Sequence, residues 1–142
     1  MALVQILVVD DSIHWRGFVL RYFEAKTEYK IIGVAVNGLE AIQKVDELRP
    51  DLILMDINLP GIDGIEATRQ ICKTHPSSKV VFVSLLDDSE IVQTAFHVGG
   101  SGYILKHDFG QDLLPGARAI LDGRQFVSRS LIRRRGWPES GE

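Results

Sequence analysis

Short unbroken apolar runs alternate along this chain with longer stretches in which apolar residues recur every three or four positions. Runs of four to eight apolar residues suit buried strands, and the three-to-four spacing suits helices with one inward face. The first run, residues 5–9, contains Ile6-Leu7-Val8-Val9, and Ser12 can cap a helix reaching to about Ala25. In that helix Ile13, Gly17, Leu20 and Phe23 fall near one face. Residues 29–36 form a second strand. Asn37-Gly38 turns the chain into a helix over 39–48 with Ala41, Ile42, Val45 and Leu48 facing inwards, and Arg49-Pro50 ends it. The third strand is Leu52-Ile53-Leu54-Met55, followed by the turn-rich loop Asn58-Leu59-Pro60-Gly61 and a helix over about 64–74 that Pro76 stops. Residues 79–84 form strand four. Asp87-Asp88 opens helix four, where acidic residues suit the helix dipole, and Gly99-Gly100 closes it. Residues 102–105 form strand five, and a last helix ends near Leu121 with Gly123 as its stop.

Five strand–helix repeats predict an α/β fold: a doubly wound, five-stranded parallel sheet with helices on both faces. The flavodoxin-like order 2-1-3-4-5 is the natural one, with its switch point between strands one and three. Strand one then ends in Asp10-Asp11, strand three in Asp56 and strand five in Lys106. In an open parallel sheet, ligands bind beyond the carboxyl ends of the strands. Carboxylates gathered there repel one another unless a cation joins them, and a hard cation such as Mg²⁺ takes carboxylate oxygens while keeping several waters. A lysine beside them suits a tetrahedral anion. Together these residues describe a place where Asp56 receives a phosphoryl group with metal assistance.

The 142 residues fit one domain, and 45% hydrophobic with 25% charged residues is ordinary for a soluble globular chain. A net charge of −3 gives no overall attraction to nucleic acid or anionic membrane. The single cysteine, Cys72, leaves no internal disulfide and makes a reducing compartment the default. No apolar stretch reaches the length of a membrane span, and the N-terminus has no signal-type pattern, so the expected location is cytoplasmic. The folded part is expected over 4–128, with 129–142 as a basic tail or truncated linker carrying Arg129, Arg133, Arg134 and Arg135.

Over about residues 4–128 the chain resembles a response-regulator receiver domain of two-component signalling. The resemblance rests on Val8-Val9-Asp10-Asp11-Ser12, on residues 51–64 around Met55-Asp56-Ile57, on Val83-Ser84, and on Gly102-Tyr103-Ile104-Leu105-Lys106. Gly64-Ile65-Glu66-Ala67-Thr68-Arg69, Ser101 before Gly102, and Gly123-Arg124-Gln125-Phe126-Val127-Ser128 are similar to the branch carrying a C-terminal helix-turn-helix DNA-binding domain; the chain stops where that output domain is expected to begin. The resemblance implies that Asp56 is the phosphoacceptor. It implies Mg²⁺ held by Asp11, Asp56 and the backbone carbonyl of Asn58, with Asp10 acting mostly through water. It further implies that Ser84 and Lys106 bond phosphoryl oxygens and that Tyr103 is a switch aromatic, turning inwards as Ser84 moves. The implied partners are a sensor histidine kinase or phosphotransfer protein and a homodimer or partner protein. Nucleic acid is reached only through an output domain, and the chain is no enzyme beyond its own phosphorylation and dephosphorylation.

Three positions depart from the commonest receiver pattern. His107 follows Lys106 where many receivers have a cis proline. Pro115-Gly116 lies where helix five should be running, which predicts a helix starting late, near Asp112, or kinked. Leu85 follows Ser84 where a smaller residue is usual, and its bulk narrows the path of water.

Plainer readings stand beside these. Asp10 alone is most simply a cap, Ser84 a turn residue, Asn58 a turn former and Tyr103 a half-buried strand aromatic. Cys72 is a small core residue, and His14, His75, His97 and His107 show no ligand spacing. Two other functions compete. An aspartyl-phosphate hydrolase of the haloacid-dehalogenase type expects Asp-x-Asp after strand one, whereas Asp10-Asp11-Ser12 is contiguous. A flavin-binding flavodoxin needs a phosphate cradle where Asp10 and Asp11 would repel it. Within the receiver reading, a stand-alone phosphate sink or protein-interaction module is the alternative to a transcriptional regulator.

Overall fold

Residues 3–135 are described by the computed structural model; the tail residues 136–142 lie outside it. The elements run β1 (Val4–Val9), α1 (Ile13–Phe23), β2 (Tyr29–Ala35), α2 (Gly38–Leu48), β3 (Leu52–Met55), α3 (Gly64–Thr74), β4 (Lys79–Ser84), α4 (Ser89–His97) and β5 (Gly102–Leu105). A 3-10 turn, Lys106–Asp108, leads into α5 (Phe109–Leu121), followed by β6 (Phe126–Val127) and α6 (Arg129–Arg135). The strand order is 2-1-3-4-5-6, and every pairing is parallel. The sheet thus follows the expected order and adds one two-residue strand beside β5. Register is regular except in β1–β2, where it shifts between Ile6 and Leu7.

Alternation along the strands splits the core in two. Leu7, Val9, Ile53, Met55, Val80, Phe82, Tyr103 and Leu105 face a layer containing α2, α3 and α4. Ile6, Val8, Leu52, Leu54, Val81, Val83 and Ile104 face α1 and α5. Both faces of β1, β3 and β4 are covered, which is why these strands read as continuous apolar runs.

Helix starts follow the capping residues. Ser12, Asn37, Asp63 and Asp88 each accept a backbone N–H in the first turn of α1, α2, α3 and α4. In α1 the buried residues are Val19 and Phe23, while Ile13 and Leu20 are exposed, so the expected inward stripe is rotated. Apolar residues surround that helix on nearly all sides, and the spacing alone does not single out a face. Helix α5 begins at Phe109, earlier than Pro115 suggests, and continues through the proline. Pro115 and Gln111, whose carbonyl loses its partner there, are both exposed, so solvent can take the unmade bond. Gly116 has a packing reason: a Cβ at that position would stand 2.8 Å from the Phe126 ring.

The chain stays folded past Ser128, where the sequence reading placed the start of a tail. Leu131 in α6 is fully buried with the α2–α3–α4 layer, and Ile132 packs beside it. Among the described residues no helix is long and apolar enough to cross a membrane. Because Leu131 fills core space, Leu131→Ala is expected to cost about 2–5 kcal/mol. A urea denaturation midpoint unchanged from wild type would show that α6 merely lies on the surface.

Candidate functional site

The carboxyl ends of β1 and β3 are locked side by side. The Asp56 N–H donates to the Val9 carbonyl at 3.0 Å, and the Asp10 N–H donates to Ala35 at 3.0 Å. Adjacent strands in register therefore bring Asp10 and Asp56 to one edge. Asp10, Asp11 and Asp56 each offer a carboxylate oxygen within 4.8 Å of the others. Asp10 and Asp56 are buried and Asp11 is exposed.

Lys106, entering from the end of β5, reaches into this cluster. Its Nζ lies 2.8 Å from Asp10 Oδ2 and 3.8 Å from Asp56 Oδ2, with its side chain only 13% exposed. Asp10 Oδ1 accepts from the Ser12 N–H at 2.8 Å, and Asp56 Oδ1 accepts from the Ile57 N–H at 2.8 Å. Each buried carboxylate thus uses one oxygen to hold the local backbone and turns the other towards the lysine. Arg16 donates to the Asp10 carbonyl at 2.8 Å, fixing α1 to the same corner.

The loop after β3 is drawn in closely. The Gly64 N–H donates to Ile57 at 2.8 Å, and a Cβ on Gly64 would stand 2.0 Å from the Asp56 carbonyl oxygen. Only glycine lets α3 begin that near to Asp56. Burial pushes the Asp56 carboxyl up from 3.8 to about 6, and the Asp10 charge adds to the effect. Lys106 and the Ile57 N–H pull it down, and Asp11 adds a smaller upward push. Repulsion among the carboxylates is therefore only partly compensated, which is the electrostatic condition for admitting a cation.

The other residues singled out from sequence form an adjoining group. The Ser84 Oγ accepts from the Leu86 N–H at 3.1 Å, and the Tyr103 hydroxyl donates to the Leu86 carbonyl at 2.7 Å. Tyr103 is already turned fully inside, not half-buried as its plainer reading expects, and burial pushes its hydroxyl up to about 12. Leu85, between Ser84 and Leu86, is 74% exposed. Asn58 is exposed and lines a surface hollow with Ile57, Asp63, Leu86 and Ile91. His107 sits in the 3-10 turn, and no described peptide bond is cis.

Two arrangements escaped the sequence reading. Lys106 Nζ lies over the Trp15 ring, 5.0 Å from its centroid. At the end of the turn, Asp108 accepts from the hydroxyls of Ser128 and Ser130. Asp112, which is buried, accepts from the Ser128 hydroxyl and the Arg129 N–H, each at 3.1 Å. Burial works to raise the Asp108 carboxyl, yet the two hydroxyls hold it below the ordinary carboxylate range. The i, i+4 spacing of Asp108 and Asp112 and the Ser-Arg-Ser run at 128–130 were the available signals, but nothing in the sequence said that they meet.

The Asp56 shift has a consequence for stability. The folded chain keeps a proton between 3.8 and about 6 that the unfolded chain has released. This contribution favours folding fully below 3.8 and is lost as pH rises through about 6. In metal-free solution at about pH 7, Asp56→Asn is therefore expected to be more stable than wild type, with the difference shrinking as pH falls through that window. Denaturation curves in which the difference is independent of pH would contradict the shift.

Comparison with known proteins points in one direction. The family described as Response regulator receiver domain matches residues 6–116. The transcriptional regulatory protein DegU of Brevibacillus brevis is 32% identical over 124 residues, covering 87% of this chain and 52% of that protein. The response regulator GacA of Pseudomonas viridiflava is 32% identical over 126 residues, covering 89% of this chain and 59% of that one. The chain thus spans between half and three-fifths of these two relatives. Among solved structures, a LuxR-family two-component response regulator from Aurantimonas superposes with a TM-score of 0.87 at 31% identity, covering 93% of this chain and 94% of that one.

Proposed function

The chain belongs to the response-regulator receiver family, whose members are phosphorylated on Asp in two-component signalling, and on that premise we propose that Asp56 is the residue modified. The observation that carries this reading is Lys106 poised between Asp10 and Asp56, beside the exposed Asp11. The donor would be a sensor histidine kinase or phosphotransfer protein. Asp11, Asp56 and the Asn58 carbonyl would hold Mg²⁺, with Asp10 acting through water. An all-oxygen donor set with one exposed carboxylate suits that ion better than a thiolate- or imidazole-seeking metal. When bound, Mg²⁺ supplies neutralisation of phosphoryl charge during transfer.

The protein's own groups supply the rest. Phosphoryl transfer depends chiefly on positioning and charge stabilisation. Asp56 Oδ2 is the oxygen free to attack, because Oδ1 is held by the Ile57 N–H. Lys106 lies 3.8 Å from that Oδ2, where its ammonium can pair with a phosphoryl oxygen. Ser84 would bond another. Its hydroxyl and the Tyr103 hydroxyl hold the two peptide groups that flank the Leu86 Cα, one at the N–H and one at the carbonyl. Drawing Ser84 towards a phosphoryl oxygen therefore pulls on the bond that keeps Tyr103 in place, and the face of α4, β5 and α5 would carry the output, as a homodimer or through a partner protein. Transcriptional control through a following DNA-binding domain is the favoured setting, supported by relatives of which the matched stretch makes up only 52% and 59%. The chain would catalyse only its own phosphorylation and dephosphorylation, in the cytoplasm.

With Mg²⁺ and a small acyl-phosphate donor, the protein is expected to gain one phosphoryl mass and Asp56→Asn none; uptake by the variant at the wild-type rate would refute the assignment. Millimolar-range Mg²⁺ is expected to raise the melting temperature of wild type and to do so much less in Asp11→Asn. Equal shifts in both would remove Asp11 from the metal site.

A further inference from the structure

Lys106 is held by more than the carboxylates. Its ammonium lies over the face of Trp15, 5.0 Å from the ring centroid, within the range of a cation–π contact. Trp15 is itself tightly placed. Its backbone N–H donates to the Ser12 capping hydroxyl at 3.2 Å. Its ring meets Phe18 at 5.0 Å and Phe109 edge-on at 5.3 Å and 82°. Phe109 is the first residue of α5, directly after the 3-10 turn that begins with Lys106. Trp15 therefore touches the first residue of that turn and the residue that follows it, while α1 is tied to the acidic corner through Ser12 and Arg16.

We propose that Trp15 is a positioning residue for phosphoryl transfer: its indole face limits where the Lys106 ammonium can go, so an incoming phosphoryl group meets the lysine already placed between Asp10 and Asp56. The inference rests on Asp56 as the acceptor. A free lysine stem has many rotamers, and ordering it on binding costs entropy. The carboxylates fix the ammonium only while it is paired to them. When it exchanges Asp10 for a phosphoryl oxygen, the aromatic face still constrains the stem. Trp presents the strongest face for this contact, and Phe keeps a weaker one.

The test compares wild type, Trp15→Phe and Trp15→Met by titration with beryllofluoride, a phosphoryl mimic, in the presence of Mg²⁺. Trp15→Met is expected to bind roughly 2- to 30-fold more weakly than wild type, the span a cation–π contact covers between exposed and desolvated settings, with Trp15→Phe in between. A second readout uses metal-free protein and no mimic. The ε-methylene protons of Lys106 should show an upfield ring-current shift in wild type that moves to the ordinary lysine position in Trp15→Met. Wild-type affinity in a cooperatively melting Trp15→Met, or an unshifted lysine methylene in wild type, would overturn the proposal. The wild-type resonance needs no variant, so the test survives a Met variant that does not fold. Failure of the underlying reading looks different: wild type would not bind beryllofluoride, or Asp56→Asn would bind it equally, whatever the lysine resonance showed.

Discussion

Two buried carboxylates on neighbouring strands, with one ammonium between them, set the terms for the rest of this site. The sheet order forces the problem: β1 and β3 are adjacent, so Asp10 and Asp56 cannot move apart without breaking the pairing of Val9 with Met55. Burial and the neighbouring Asp10 charge, which Lys106 from beyond β4 offsets only in part, leave Asp56 harder to ionise than an ordinary aspartate. Further positive charge, or removal of a negative charge, relieves the strain. The same electrostatics thus prepares the site for a divalent cation and ties its protonation to the stability of the fold.

Much of this was legible in the sequence, because strand ends are. An apolar run that stops at Asp10, Asp56 or Lys106 gives both the strand and the edge on which the side chain emerges. The order of the strands then follows from parallel connections. The helices were located well wherever a capping residue marked their start, as Ser12, Asn37, Asp63 and Asp88 do. Side-chain direction was harder. In α1 the polar residues are split, His14 and Arg21 on one side and Arg16 on the opposite one, so the exposed Ile13 and Leu20 could not be told from the buried Val19. Helix five was misread for the opposite reason: a local rule about proline gave way to a position on the solvent side, where the missing bond matters least.

Contacts between residues far apart in the chain were the least visible. Trp15 and Lys106 are separated by most of the molecule, and their meeting depends on how α1 and α5 share one face of the sheet. The serine–aspartate cluster joining Ser128 and Ser130 to Asp108 and Asp112 is similar. It holds α6 to the start of α5, so the 3-10 turn has its first residue in the acidic cluster and its last bonded to the C-terminal segment. At its buried members, Ser128 and Asp112, such a network keeps a definite geometry because an unmade bond there is costly.

The edges of the sheet bear on how the molecule meets others. On one side β6 is only two residues long; on the other, β2 pairs with β1 through a register shift and exposes Lys30. Short outer strands, bulged pairing and lysine each discourage another chain from adding itself to a sheet by backbone hydrogen bonds. Strand exchange and edge-to-edge stacking are disfavoured from both sides, which turns encounters with other proteins towards the helices and the loops above the strand ends. Edges built this way do not invite a permanent neighbour.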